Sequence, residues 1–143
     1  MADDKQAIEQ VLLRYHQAIA ENDMEAAHSC LGEGHFSMEV GHGHTADPSL
    51  WRAGGFRTRE DLLRLYLSYD APADSTYENQ LDFVHTHVNS NAAVVVVRET
   101  GSSTVGDHTY SWEGVTNLWC LAKIGERWLI VGSIHHLGEN KEA

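Results

Sequence analysis

The stretch Gln80–Thr100, QLDFVHTHVNSNAAVVVVRET, decides how this chain folds. Gln80 to Val88 and Ala92 to Thr100 are rich in β-branched and aromatic residues, and Asn89-Ser90-Asn91 between them has the composition of a tight turn. Two antiparallel strands are therefore expected here. The same pattern continues outward toward the C-terminus. His108 to Lys123 and Arg127 to Leu137 read as two more strands, set off by Gly101 to Asp107 and by Gly125-Glu126. Four successive strands with short turns make an antiparallel meander. Val94 to Val97 is apolar on both faces, which predicts a central strand packed under helices on one side and against something else on the other. A second copy of the chain is the simplest cover, so a homodimer is expected.

Upstream of the meander the period becomes helical. Ile8, Val11, Leu12, Tyr15 and Ile19 recur at three- and four-residue steps within Asp4 to Ala20, with Asp3 and Asp4 as an acidic N-terminal cap. After Glu21-Asn22-Asp23, Met24 to Leu31 reads as a short second helix stopped by Gly32-Glu33-Gly34. His35 to His44 alternates like a strand. Thr45 to Thr58 places Pro48, Gly54 and Gly55 around Trp51 and Phe56, as in a long connection or hairpin folded over a cavity, a candidate lid. Thr58-Arg59-Glu60-Asp61 opens a third helix whose apolar face is Leu62, Leu63, Leu65, Tyr66 and Tyr69, and Asp70-Ala71-Pro72 ends it. With no repeats and no long linker, one domain over residues 1–143 is expected, frayed only at its charged tail.

Composition narrows the function classes. Ten Lys and Arg against twenty-one Asp and Glu give a formal charge of −11, which repels phosphate backbones and anionic lipid surfaces. Neither nucleic acid nor a membrane is an expected partner. The opening MADDKQAIEQ lacks a basic segment followed by an apolar run, and no stretch has the length and apolarity of a membrane span, so a cytoplasmic location is expected. The two cysteines, Cys30 and Cys120, have no ligand-like spacing and read as unpaired thiols in a reducing compartment.

The order helix, helix, strand, helix, meander resembles the nuclear transport factor 2-like (SnoaL-like) superfamily, which includes ketosteroid isomerases, scytalone dehydratases and polyketide cyclases. The resemblance spans nearly the whole chain. Its local carriers are Leu13-Arg14-Tyr15, the turn Glu21-Asn22-Asp23-Met24-Glu25-Ala26-Ala27, and the closing hairpin Gly125-Glu126-Arg127-Trp128-Leu129-Ile130. It implies a cone-shaped α+β fold in which N-terminal helices pack on a curved mixed, mainly antiparallel sheet that encloses an apolar pocket, with sheet-to-sheet dimers common.

Within the ketosteroid isomerase pattern, the resemblance puts Tyr15 at the oxyanion tyrosine, Glu39 at the carboxylate base and Asn117 near the second oxyanion donor. Asn117 departs from the aspartic acid of that family, and Glu39 is one methylene longer than its aspartate. A phenol and a carboxylate in one apolar cavity can divide the labour of proton transfer, one hydrogen-bonding an enolate oxygen while the other takes a proton from the adjacent carbon. An asparagine amide can also donate to an oxyanion. His135, on the last strand beside this trio, is a candidate second acid or base.

Strand parity leaves the direction of Glu39 open. Glu39 shares a face with Ser37 and Gly41, whereas Phe36, Met38 and Val40 make the apolar face; a bulge near Gly41 or Gly43 would restore an inward carboxylate. Asn117 shares its face with Val115, Trp119 and Leu121, so it needs hydrogen-bond partners or lines a polar spot. Tyr15 also fits a plain core aromatic.

Ten histidines include three close groupings, His42 with His44, His85 with His87, and His135 with His136. Residues two apart on a strand face the same way and could share an ion, with Glu39 or Asp82 a third ligand, yet no HExxH or cysteine cluster accompanies them. No native metal and no cofactor are expected. His85, in parity with Leu81 and Phe83, is a candidate pocket residue, as are Phe83, Trp51, Tyr66 and Trp119, aromatic surface suited to a small apolar or ring-bearing molecule. Three functions fit: a proton-transfer enzyme of the isomerase, dehydratase or cyclase type; a non-catalytic carrier of a small hydrophobic ligand; and an assembly module using the sheet surface.

Overall fold

In the computed structural model, residues 2–39, 56–58, 76–105 and 108–135 are described. Two helices come first, α1 (Ala2–Ala20) and α2 (Met24–Ser29), followed by strands β1 (Leu31–Glu39), β2 (Phe56–Thr58), β3 (Thr76–Asn89), β4 (Ala92–Val105), β5 (His108–Ile124) and β6 (Arg127–His135). The six strands form one sheet in the order β2-β1-β6-β5-β4-β3. Only β1 and β6 run parallel; every other neighbouring pair is antiparallel. The architecture is α+β, and the four-strand meander read from Gln80 onward is present as β3 to β6.

Local chemistry accounts for the element ends. Asp23 caps α2 by accepting a hydrogen bond from the Ala26 amide at 3.1 Å. That helix stops at Ser29 rather than Leu31, because Leu31 already pairs with Ile130 of β6 and belongs to β1. The Gly32-Glu33-Gly34 segment is thus not a break before the strand. It lies inside β1, at an irregularity between Leu31 and Phe36. The β5–β6 turn has positive φ at both Gly125 (58°) and Glu126 (76°), the twist that a two-residue hairpin loop requires. Phe56–Thr58 pairs back onto Phe36–Met38, so the end of the expected connection closes as a hairpin on β1. The remainder of that connection and the expected third helix lie outside the described residues.

The inner face of the sheet carries the core. Ile8, Val11, Leu12 and Tyr15 of α1 are buried with Ala93, Val95 and Val97 of β4, Trp119 and Leu121 of β5, and Trp128 and Ile130 of β6. Enclosing a side chain the size of Leu12 or Ile130 contributes about 1.5–3 kcal/mol each. Polar ties hold α1 in place. Thr86 Oγ1 donates to Glu9 Oε2 at 3.0 Å, and Trp128 Nε1 donates to Asp4 Oδ1 at 3.3 Å. Asp4 therefore anchors the helix to β6 in addition to placing an acid in its first turn.

Besides the irregularity in β1, three further register shifts decide which side chains face inward. In β3 the register shifts between Phe83 and His85; Tyr77, Asn79, Leu81 and Phe83 are half-buried before the shift, and Thr86 and Val88 after it. A second shift, between Glu99 and Gly101 of β4 opposite Val115 and Trp112 of β5, coincides with Gly114 at φ 63°. The third shift, between Cys120 and Leu121 where β5 meets β6, brings Ser133 to the buried face after Trp128 and Ile130. The valine-rich strand β4 lies between β3 and β5. Its inward Val95 and Val97 are buried, while Val94 on the other face stays exposed and Val96 half-buried.

Candidate functional site

Trp119 is the hub of a polar cluster on the otherwise apolar inner face. Its ring meets Tyr15 edge-on at 5.9 Å between centroids, His16 at 5.2 Å and His135 at 5.2 Å. Tyr15 and His16, adjacent on α1, are themselves in edge contact at 5.3 Å. Asn117 stands two residues before Trp119 on the same face of β5, paired with Val97 of β4, and is buried. On β6, directly across from Trp119, Ser133 is fully buried and its hydroxyl lies 3.0 Å from His135 Nε2.

A carboxylate sits at the centre of this cluster. Glu99, in parity with Ala93, Val95 and Val97, retains 4% exposure. Trp119 Nε1 donates to its Oε2 at 2.8 Å, and Asn79 Nδ2 donates to its Oε1 at 2.7 Å. Asn79 is fixed in turn by Trp112, whose Nε1 donates to the Asn79 Oδ1 at 2.8 Å. Trp112 reaches that position because Gly101 lies beneath it: a Cβ there would collide with the Glu78 carbonyl oxygen and crowd the indole. His16 Nε2 approaches Glu99 Oε1 at 3.7 Å, with both side chains enclosed. The other ring nitrogen, Nδ1, lies 2.8 Å from the Leu12 carbonyl oxygen, which can only accept, so Nδ1 carries a hydrogen. With Nδ1 committed as donor, Nε2 attracts the carboxylate only in the imidazolium form. Two neutral donors already satisfy Glu99, and removing the carboxylate would orphan them.

A cavity of about 500 Å³ opens between α1 and β3, and His16 and Asn79 line it. These two residues connect the cavity to the buried carboxylate. Burial pushes the Cys30 thiol up, against the lowering effect of the nearby Arg14 and Arg127 charges and of hydrogen bonds from Ser29 and Arg14, and burial alone raises Cys120. Both cysteines are free. Among the described residues no three His, Cys, Asp or Glu side chains are grouped to hold a metal ion, and no helix is long and apolar enough to cross a membrane.

No protein-family model matches the chain, and no curated protein matches it. Solved structures do. A nuclear transport factor 2-like protein from Cytophaga hutchinsonii superposes with a TM-score of 0.69 at 15% identity, covering 92% of this chain and 95% of that one. A ketosteroid isomerase-like protein from Erwinia carotovora atroseptica gives 0.66 at 15% identity, covering 91% and 92%. The chain has the nuclear transport factor 2-like fold. A third neighbour in shape, a protein of Exiguobacterium sibiricum provisionally named a calcium/calmodulin-dependent kinase II association domain, gives 0.72 at 13% identity over 98% and 95%. At these identities the likeness establishes the fold, which isomerase-like proteins and proteins of unknown function share.

Within this nuclear transport factor 2-like fold, the residues singled out in the sequence fall into three groups. Tyr15, Trp119 and His135 come together, with Asn117 beside them. Glu39 is placed by its backbone alone, level with His135 in the parallel β1–β6 register. Trp51, Tyr66, His42, His44 and His136 lie outside the described residues. Phe83 is half-buried and packs against the core. His85 needs a correction: the bulge after Phe83 reverses the parity of β3, so His85 is exposed and stacks on His87, with centroids 6.4 Å apart, instead of joining Leu81 and Phe83.

Four residues of the cluster, His16, Asn79, Glu99 and Ser133, were not among the sequence candidates. His16 continues the four-residue spacing Ile8, Leu12, His16, and Glu99 continues the inward parity Val95, Val97, Glu99. Both signals were present in the period. The partners that make such burial tolerable come from elements twenty and more positions away in the chain.

Proposed function

We propose that this protein is a small-molecule enzyme of the isomerase, dehydratase or cyclase type that moves a proton next to the carbonyl of a ring-bearing substrate, without a cofactor. The observation that carries the proposal is the convergence of Tyr15, Asn117 and His135 around Trp119 on the inner face of the sheet, beside the buried His16, Glu99 and Ser133. Folding alone favours apolar residues at such positions, and polar groups gathered in an enclosed site mark a functional candidate. A base removes the proton from carbon, and the C–H electron pair moves toward the carbonyl oxygen. Tyr15 and Asn117 donate hydrogen bonds to that oxygen, and the proton returns at a second carbon. Glu39 is the proposed base, level with His135 in the sheet, and His135, its Nε2 beside the Ser133 hydroxyl, assists as a second acid or base.

A second reading is a carrier that holds the same class of molecule without turnover. What favours it is the Glu99 arrangement: both carboxylate oxygens are occupied by Trp119 and Asn79, as in a structural network. A fluorescence titration with equilenin-like and naphthol-like phenols, which mimic an enolate, separates the outcomes. Proton-transfer chemistry predicts tight binding that Tyr15→Phe weakens by more than about tenfold, with a pH dependence altered in Glu39→Gln. Binding indifferent to both substitutions leaves the carrier.

A further inference from the structure

We propose that the groove between α1 and β3 is a binding site for a small amphipathic monocarboxylate, with the Arg14 guanidinium as its anion partner. The groove's volume of about 500 Å³ is within the range of small-molecule sites. Leu13 and Ala20 of α1 and Leu81 of β3 give it apolar surface, and Leu13 is 47% exposed although it belongs to the helix that covers the core. Its floor is ordered beforehand: Asn79 is held by Trp112 and Glu99, and His16 by the Leu12 carbonyl, so binding costs little reorganisation there. The Asn79 amide spends one N–H on Glu99 and has a second to offer.

Charge selects the occupant. Arg14 lines the groove and has no carboxylate partner among the described residues, although the chain carries −11 overall. Its guanidinium lies near the Cys30 thiol, and its five donors form a planar fork suited to a carboxylate. One guanidinium balances one negative charge, so a monoanion fits better than a phosphate dianion. This site depends on Arg14 and the groove walls, not on Tyr15 or Glu39, and stands or falls separately from the proton-transfer proposal.

The test is calorimetric titration with 3-phenylpropionate, its neutral amide 3-phenylpropionamide, and phenyl phosphate. Saturable binding of 3-phenylpropionate is expected, with the amide weaker by about tenfold. Arg14→Gln brings the carboxylate down to the level of the amide and leaves the amide unchanged. Phenyl phosphate is expected to bind more weakly than 3-phenylpropionate. Arg14 is exposed, so the Gln variant is expected to fold, which its far-ultraviolet circular dichroism checks. No saturation by 3-phenylpropionate at millimolar concentration, or equal affinity in wild type and Arg14→Gln, overturns the proposal.

Discussion

The inner face of the sheet has two halves built on the same strands and the same helix, and they are chemically opposite. Toward the start of α1, Ile8 and Leu12 meet Val95, Leu121 and Ile130, all but fully enclosed and wholly apolar. Toward its end, Tyr15 and His16 meet Trp119 and Glu99, with Asn117 and Ser133 on the same face of the sheet, all buried and rich in polar groups. The first half supplies free energy by removing carbon from water. The second removes a carboxylate, an imidazole and an amide from water, which stabilises nothing unless each finds its partners. The dry half holds α1 to the sheet, and the polar half is where the proposed chemistry is sited.

Substitutions in the two halves should fail differently. Leu12→Ala opens a cavity in the dry half and is expected to cost about 2–5 kcal/mol in denaturant unfolding, with no loss of ligand selectivity beyond the loss of folded protein. Glu99→Ala in the polar half is expected to cost less, about 1–3 kcal/mol, because it orphans the Trp119 and Asn79 donors without emptying much apolar volume. Glu99→Gln should recover part of that loss, since an amide oxygen can accept from one of the two donors. If Glu99→Ala proves neutral or stabilising, the network is not the fixed support that its hydrogen bonds indicate. The outer face provides the baseline. His85→Ala, on the exposed side of the β3 bulge, should change stability by no more than about 0.5 kcal/mol, and a larger loss would mean that this face is covered in solution.

The same contrast explains how far the sequence could be read. The dry half and the strand order of the meander follow from local signals: the three- and four-residue spacing of Ile8, Leu12 and Tyr15, and the turns at Ser90 and Gly125-Glu126. Tyr15, Asn117 and His135 were legible as candidates because the nuclear transport factor 2-like resemblance points to their positions. His85 was misplaced because a single extra residue in β3 reverses every side chain beyond it, and nothing in DFVHTH marks that insertion. Glu99 was passed over for a different reason. A carboxylate near the end of a valine run reads as the solvent end of a strand, and its burial is made possible by an indole and an amide on neighbouring strands and a histidine on α1. Pairing across twenty and more residues is a tertiary property that no window of sequence displays.

The central claim is that the polar half around Trp119 is where a ring-bearing molecule acts, whereas the dry half is not. The chain contains four tryptophans, and Trp119 and Trp128 report on the two halves separately, the first bound to Glu99 and the second to Asp4. Indole N–H signals followed by nuclear magnetic resonance during titration with 2-naphthol test the claim directly. The Trp119 signal should shift saturably while that of Trp128 stays fixed, and Tyr15→Phe should abolish the shift. A Trp119 signal that does not move, or that moves only in step with Trp128, would contradict the account and return Tyr15, Trp119 and Glu99 to the status of core.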